Sequence, residues 1–240
     1  MVQLVLNRKS DPGGTHSVES VLNVNDNVIE IYDVIVPWKF GDDDPSVTVQ
    51  DITNVLNTLS GDVTVRINSR GGEVGSSLTI YNRLREYNGK VTTVVDGYAF
   101  SSAGWVAQAG DNRVISRGGI FMIHNPIMYP EIKSAKDLES VSNQWNTHRE
   151  SILNIFEDRV AVDRDRVSDM MERETFLSAE EAVENGFFDS IGKEEANLAA
   201  LNYATPSTMP DRFRDRIPST SEPVVNVDYL KNLRRKYSTI

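Results

Sequence analysis

The chain has 240 residues, 39% of them hydrophobic and 25% charged, with a formal net charge of -10, the make-up of one globular domain with appendages and not of a disordered or collagenous chain. No apolar run approaches the roughly 18 residues that a bilayer crossing needs, and the opening MVQLVLNRKS lacks the basic start and long apolar stretch of a secretory signal, so neither a membrane nor an exported location is expected. The absence of cysteine excludes disulfides, a thiol nucleophile and sulfur-bound zinc; three histidines, His16, His124 and His148, are too scattered for an obvious metal centre, and the acidic balance argues against a general nucleic-acid binder.

In chain order, residues 7–20 (NRKSDPGGTHSVES) are polar and aperiodic, so residues 1–24 read as a mobile arm. The β-branched run VIEIYDVIV over 28–36 reads as a buried strand. Ile52, Val55, Leu56 and Leu59 then mark an amphipathic helix over 48–59. DVTVRIN over 62–68 alternates as a strand, and Leu78, Tyr81, Leu84 and Tyr87 mark a second helix over 75–87. VTTVVDG, NRVIS and GIFMIH supply three more short strands, with a small-residue helix between the first two. This succession predicts an α/β layered domain with a largely parallel sheet.

Over residues 134–160 the spacing of Leu138, Val141, Trp145, His148, Ile152 and Ile155 predicts a helix about 40 Å long. Such a helix projects beyond a domain of this size and needs a partner for its stripe, on which His148 reads as a packed or interfacial residue. Ser178-Ala-Glu-Glu181 is a capping box for a further short helix. Residues 193–240 read as a Pro/Ser-containing linker and a basic tail. Residues 191–240 hold eight Lys/Arg against six Asp/Glu, +2, which leaves -12 of the total -10 on the body. The tail therefore suits acidic partners or neighbouring subunits, or is a solvated helix end.

Three segments carry chemistry. Residues 67–73 (INSRGGE) run a strand into paired glycines at a helix start, where N–H groups can face an open space and hold a developing oxyanion, although most such pairs are only turns. Residues 96–104 (DGYAFSSAG) leave a strand for a helix with Ser101 at the turn. A hydroxyl exposed there suits a nucleophile, while the commoner role of such a serine is a helix cap. Residues 120–126 (IFMIHNP) bring His124 to a strand end, within reach of a serine on a neighbouring strand.

In this order the segments INSRGGEV, SLTIYNRLRE, GKVTTVVDGYAFSSAGWVAQAGD, FMIHNP and ETFLSAEEAVENGFFDSI, spread over residues 25–192, resemble the Clp protease proteolytic subunit, and more closely the head maturation (prohead) proteases of tailed phages. The resemblance implies a ClpP/crotonase-like layered β-α superhelix with a projecting handle helix, and a serine endopeptidase that needs no metal or organic cofactor. It gives Ser101 as nucleophile, His124 as general base and the backbone N–H groups of Gly72 and Ser102 as oxyanion hole. Gly71, Glu73, Val74, Asn125, Pro126 and Ile127 would flank a substrate paired as an added strand. The acid position holds Glu174 where the cellular family has aspartate; the alternatives are Asp189 or a backbone carbonyl as the support for His124, or a triad that assembles only on oligomerisation. Arg70 stands where proline is common.

The same resemblance implies homo-oligomeric rings, single or stacked, acting on protein substrates: scaffold or capsid proteins, or the chain's own termini. The setting would be the host cytoplasm or the procapsid interior, with no nucleic acid or membrane as partner, and no segment points to an unfoldase. Two other readings share the fold. A crotonase-like acyl-CoA enzyme would leave Ser101 and His124 unexplained; a catalytically silent assembly protein would account for the long helix and the altered acid.

Overall fold

A computed structural model of the chain describes residues 27–41, 44–195 and 209–214. The expected arm over 1–24 lies outside them, as does most of the expected linker and tail. Five strands form the main path of one sheet in the order β1 (Val28–Ile31), β2 (Val63–Ser69), β3 (Val91–Phe100), β4 (Asn112–Arg117) and β7 (Ser190–Glu195), all parallel. Two short strands, β5 (Ile120–Ile123) and β6 (Thr175–Ser178), branch from β3; β5 pairs with it in parallel and β6 pairs antiparallel with β5. The expected α/β class with a largely parallel sheet is the observed one.

The ten-residue β3 organises the site because it serves two neighbours on one edge. Thr92–Val95 pair with β4, while Tyr98–Phe100 pair with β5. Helices α1 (Val49–Leu56), α2 (Val74–Arg85) and α3 (Ser102–Ala107) bury Ile52, Val55, Ile80, Leu84 and Trp105 in a core shared with Val65, Ile67, Val95 and Ala99 of the sheet. Strand alternation sends Asp96, Tyr98 and Phe100 to the opposite face. There buried Asp96 takes Arg66 Nε at 2.8 Å and the Tyr32 hydroxyl at 2.5 Å, and a second apolar cluster gathers Tyr98, Phe100, Ile120, Met122 and Phe176.

Four expectations change. The strand over 28–36 stops at Ile31, because the Asp33 carboxylate accepts the Val34 N–H at 2.6 Å and the chain turns; only Ile35 bridges further, to Val47 and Gly72. The helix expected over 134–160 is α4 (Ala135–Glu157), about 35 Å long at 1.5 Å per residue. Only its last turns are buried, at Ile152, Leu153, Ile155 and Phe156, whereas Leu138 is 56% exposed and Ile127, Tyr129 and Ile132 on the loop before it are also exposed. Helix α5 (Arg164–Glu172) was not anticipated, since Val167, Met170 and Met171 give it too narrow a stripe. Finally, residues 209–214, within the expected linker and tail, pack on the body: Met209 and the Phe213 of the single turn α7 (Asp211–Arg214) are buried in the second cluster.

Candidate active site

Three neighbouring strand ends converge. Parallel pairing sets Phe100 beside Met122, so Ser101 and His124 leave adjacent strands nearly level. In the antiparallel pair Ile123 faces Thr175, the last matched pair of that ladder; His124 follows the one and Glu174 precedes the other, and the Glu174 charge reaches the imidazole. The Ser101 hydroxyl lies 2.6 Å from His124 Nε2.

Ser101 has φ 53 and ψ -127, a combination outside the regions open to L-residues. Such a residue costs about 1–3 kcal/mol and persists only where its surroundings impose it. Here the Ser101 N–H is held by the Met122 carbonyl at 2.9 Å, and its own carbonyl accepts the Gly104 N–H at 2.9 Å. The side chain makes no capping bond to α3. Its hydroxyl is thus spent on His124 and not on the helix.

Burial pushes the His124 imidazole below its ordinary pKa, and the charge of Glu174 pulls the other way. The neutral ring, able to accept a proton from Ser101, is therefore the favoured form down to lower pH than for a free histidine. Glu174 has φ 50 just past the end of α5, a position where glycine is usual.

The paired glycines are required by close approach. A Cβ on Gly71 would lie 2.6 Å from the Phe100 carbonyl oxygen and 2.7 Å from the Ser102 nitrogen; one on Gly72 would lie 1.9 Å from the Ile35 carbonyl oxygen. The Gly72 N–H does not face an open space. It donates to the buried Ser102 hydroxyl at 2.8 Å, which also accepts from Ser77 Oγ at 2.7 Å. The Ser102 N–H opens α3 and so has no acceptor within its own helix.

The expected substrate walls differ in detail from simple strand edges. The Gly71 carbonyl accepts the Ile35 N–H and the Glu73 N–H donates to the Ile35 carbonyl. Glu73 turns its carboxylate onto the N–H groups of Gly75 and Ser76 as the cap of α2, and Val74 is that helix's first residue. On the facing wall Asn125 Nδ2 donates to Glu172 Oε2 at 2.6 Å, the Pro126 carbonyl accepts the Trp145 indole N–H at 2.8 Å, and Ile127 is 57% exposed. His148 is half-buried on α4. Burial raises the Glu73 pKa, but the hydrogen bonds from Ser76 and Gly75 outweigh it and hold the carboxyl below its ordinary value. Arg70 is in the field of Asp33.

Asp189 is committed elsewhere. It pairs with Arg113 through Nη2–Oδ1 at 2.5 Å and Nε–Oδ2 at 3.2 Å, and accepts the Arg113 N–H at 2.7 Å. Arg113 pairs with Thr93 near the start of β3, eight residues before Ser101 and so up to about 26 Å from it at about 3.3 Å per residue. Burial raises the Asp189 pKa, but the Arg113 hydrogen bonds outweigh it and hold the carboxyl below its ordinary value. Its stabilising contribution is therefore present above the unfolded pKa and is lost as pH falls through the folded one. Asp189→Ala is expected to cost about 2 kcal/mol, discounted for the carboxylate's partial exposure, in urea unfolding at pH 7, and to leave the His124 titration midpoint unmoved.

Among the described residues no group of three or more His, Asp or Glu side chains could hold a metal ion, and no helix is long and apolar enough to cross a membrane. Sequence reasoning passed over Ser77 and the Ser102 side chain, which carry no motif of their own, and read Trp145 only as part of a helix stripe. It also passed over Asn68, whose Oδ1 accepts the Tyr98 N–H at 3.1 Å and braces the β2–β3 irregularity beside the glycines; its place inside INSRGG was the available signal.

The profile of the Clp protease family matches residues 25–195. An ATP-dependent Clp protease proteolytic subunit from Ligilactobacillus salivarius (strain UCC118) is 30% identical over 139 residues, 57% of this chain and 70% of that protein. The subunit of the same name from Chlorella vulgaris is 31% identical over 129 residues, 53% of this chain and 64% of its own length. Subunit 3 from Parasynechococcus marenigrum (strain WH8102) is 30% identical over 127 residues, 52% and 64% respectively. The chain thus spans a little under two thirds of the latter two relatives.

Proposed function

The chain belongs to the Clp protease family of serine peptidases, and from that premise we propose that Ser101, His124 and Glu174 are its nucleophile, general base and orienting acid in an endopeptidase working through an acyl-enzyme. The observation that carries the reading is the 2.6 Å approach of Ser101 Oγ to His124 Nε2, made by a serine whose strained backbone leaves its hydroxyl out of helix capping.

His124 Nε2 takes the Ser101 proton as Oγ attacks the peptide carbonyl. The carbonyl electron pair moves onto oxygen, then returns as the C–N bond breaks and His124 protonates the leaving amine. A water deprotonated by His124 then cleaves the ester, releasing the acid and restoring Ser101. Glu174 holds the imidazole in the tautomer this needs and favours its charged form.

The oxyanion would be held by the Ser102 N–H and, once its bond to Ser102 Oγ opens, by the Gly72 N–H. Glycine at both 71 and 72 is what lets that peptide turn, and each donor contributes on the order of 3 kcal/mol. Gly71, Glu73 and Val74 on one side and Asn125, Pro126 and Ile127 on the other would border the bound chain. The occupied Gly72 amide joins the long exposed helix and the altered acid as an observation favouring a catalytically silent assembly protein.

The finer assignment is a phage head maturation protease that acts on scaffold or capsid proteins within a procapsid; the VDG-to-AGD stretch and MIHNP carry it. A homo-oligomeric ring is supported by the uncovered half of α4 and the exposed Ile127, Tyr129, Ile132 and Leu138. Leu138→Asp is expected to reduce the light-scattering mass of the purified chain from a multiple toward that of one chain; an unchanged mass counts against that helix as the contact. Hydrolysis of a fluorogenic peptide mixture by the purified chain tests the activity. The expected kcat/KM profile has its acidic limb below about pH 6.5, the ordinary histidine value, and no hydrolysis at any pH would return the silent reading.

A further inference from the structure

A feature with no place in this chemistry is the segment at residues 209–214. It lies on the sheet face opposite the main core, against a cross-strand row: Phe100 pairs with Met122, and Met122 with Phe176. Tyr98 and Ile120 are the next same-face positions behind that row. Phe213, 2% exposed, and Met209, 1% exposed, complete the cluster, in which the Phe100 and Phe176 rings meet edge to face at 5.6 Å.

Arg212 holds the same strand through polar contacts. Its Nη1 and Nη2 reach Glu181 Oε1 and Oε2 at 2.8 and 3.1 Å, Nη2 lies 3.4 Å from the Phe176 carbonyl oxygen, and the guanidinium sits 4.5 Å from the Phe213 ring centroid. Glu181 also accepts the Ser178 N–H at 2.8 Å, and Ser178 is both the end of β6 and the cap of α6 (Ala179–Glu184). The segment therefore touches β6 at Phe176 and, through Glu181, at its last residue.

The row under Phe213 lies directly behind the proposed catalytic residues. Phe100 is one residue before Ser101, Met122 two before His124, and Phe176 two after Glu174. Strand β6 has four residues and, among the described residues, β5 as its one strand neighbour, so little else in the described sheet fixes its position. We propose that residues 209–214 form a positioning strap, with Phe213 and Arg212 as its positioning residues, which sets the mutual register of the strand ends carrying Ser101, His124 and Glu174. Its effect on rate rests on the peptidase reading; its effect on the surroundings of His124 does not.

The test uses the full chain with Phe213→Ala, Phe213→Leu and Arg212→Gln. A displacement of about 1 Å remote from the chemistry costs on the order of a hundredfold, so Phe213→Ala should lower kcat by at least about tenfold with KM little changed, and Phe213→Leu should recover most of it. The second readout is the NMR titration midpoint of His124, assigned by His→Gln variants at the three histidines. If Glu174 drifts away, its charge no longer opposes the burial of His124, and the midpoint moves down in Phe213→Ala and, by less, in Arg212→Gln.

A residue that served only stability would lower the melting temperature and leave the midpoint and kcat of the folded fraction where they were. That result, in Phe213→Ala or, should that variant not fold, in Arg212→Gln, overturns the strap. A wild-type chain that hydrolyses nothing overturns the peptidase reading instead, and the His124 midpoint still decides the strap.

Discussion

Replacing Ser101 by glycine is expected to abolish turnover and to make the fold more stable. The residue stands at φ 53 and ψ -127, a conformation that strains any side-chain-bearing residue by about 1–3 kcal/mol and glycine hardly at all. Against this, glycine has more unfolded-state freedom to lose, about 0.5–1 kcal/mol, so the net gain is about 1 kcal/mol, a rise of roughly 2–4 °C in a domain of this size. Ser101→Ala keeps the strain and loses the hydroxyl; it should be as inactive as the glycine variant and melt below it. Paired melting curves and peptide hydrolysis check both. A glycine variant that melts below the alanine variant would mean that the elbow is not strained.

The second large effect is expected at Glu174. In Glu174→Gln the charge that raises the His124 pKa is gone while the burial that lowers it remains, so the acidic limb of kcat/KM should move to lower pH. At pH 7 His124 is then even more fully in its neutral, proton-accepting form. A fall in rate there cannot come from a protonated base and must come from a mis-set imidazole and an uncompensated imidazolium, on the order of a hundredfold or more by analogy with other serine triads. Glu174→Gly should lose as much rate and yet be no less stable, because φ 50 suits glycine at the position following a helix. If the Gln variant keeps the wild-type limb and rate, the acid role of Glu174 is wrong.

Much of this could be read from the chain, and the limits have physical causes. Long patterned stretches announced themselves: the alternation of VTVRI and the β-branched run VTTVV marked the central strands, and the three-and-four spacing of Leu138 to Ile155 marked the projecting helix. Ser101 and His124 were legible because each sits where a short apolar run stops, and parallel strands of adjacent register bring their ends together. What stayed hidden depended on pairing across long separations. TFLS is too short to declare itself as β6, and only its antiparallel pairing with β5, which ends at Thr175 against Ile123, brings Glu174 to the end where His124 leaves the sheet. Phe213 stands among prolines and charges that read as linker, and its burial depends on a pocket made by Phe100, Met122 and Phe176, residues no local pattern unites with it. Asp189 stood as an alternative to Glu174, and no local pattern shows that Arg113 claims it.

The account stands or falls on whether Ser101 is activated by His124. The most direct measurement is treatment of the purified chain with a fluorophosphonate, followed by intact mass and peptide mapping. The account predicts one adduct per chain, on the peptide containing Ser101, absent in Ser101→Ala and formed far more slowly in His124→Ala. A wild-type chain that stays unmodified, or an adduct that persists in Ser101→Ala, would contradict it.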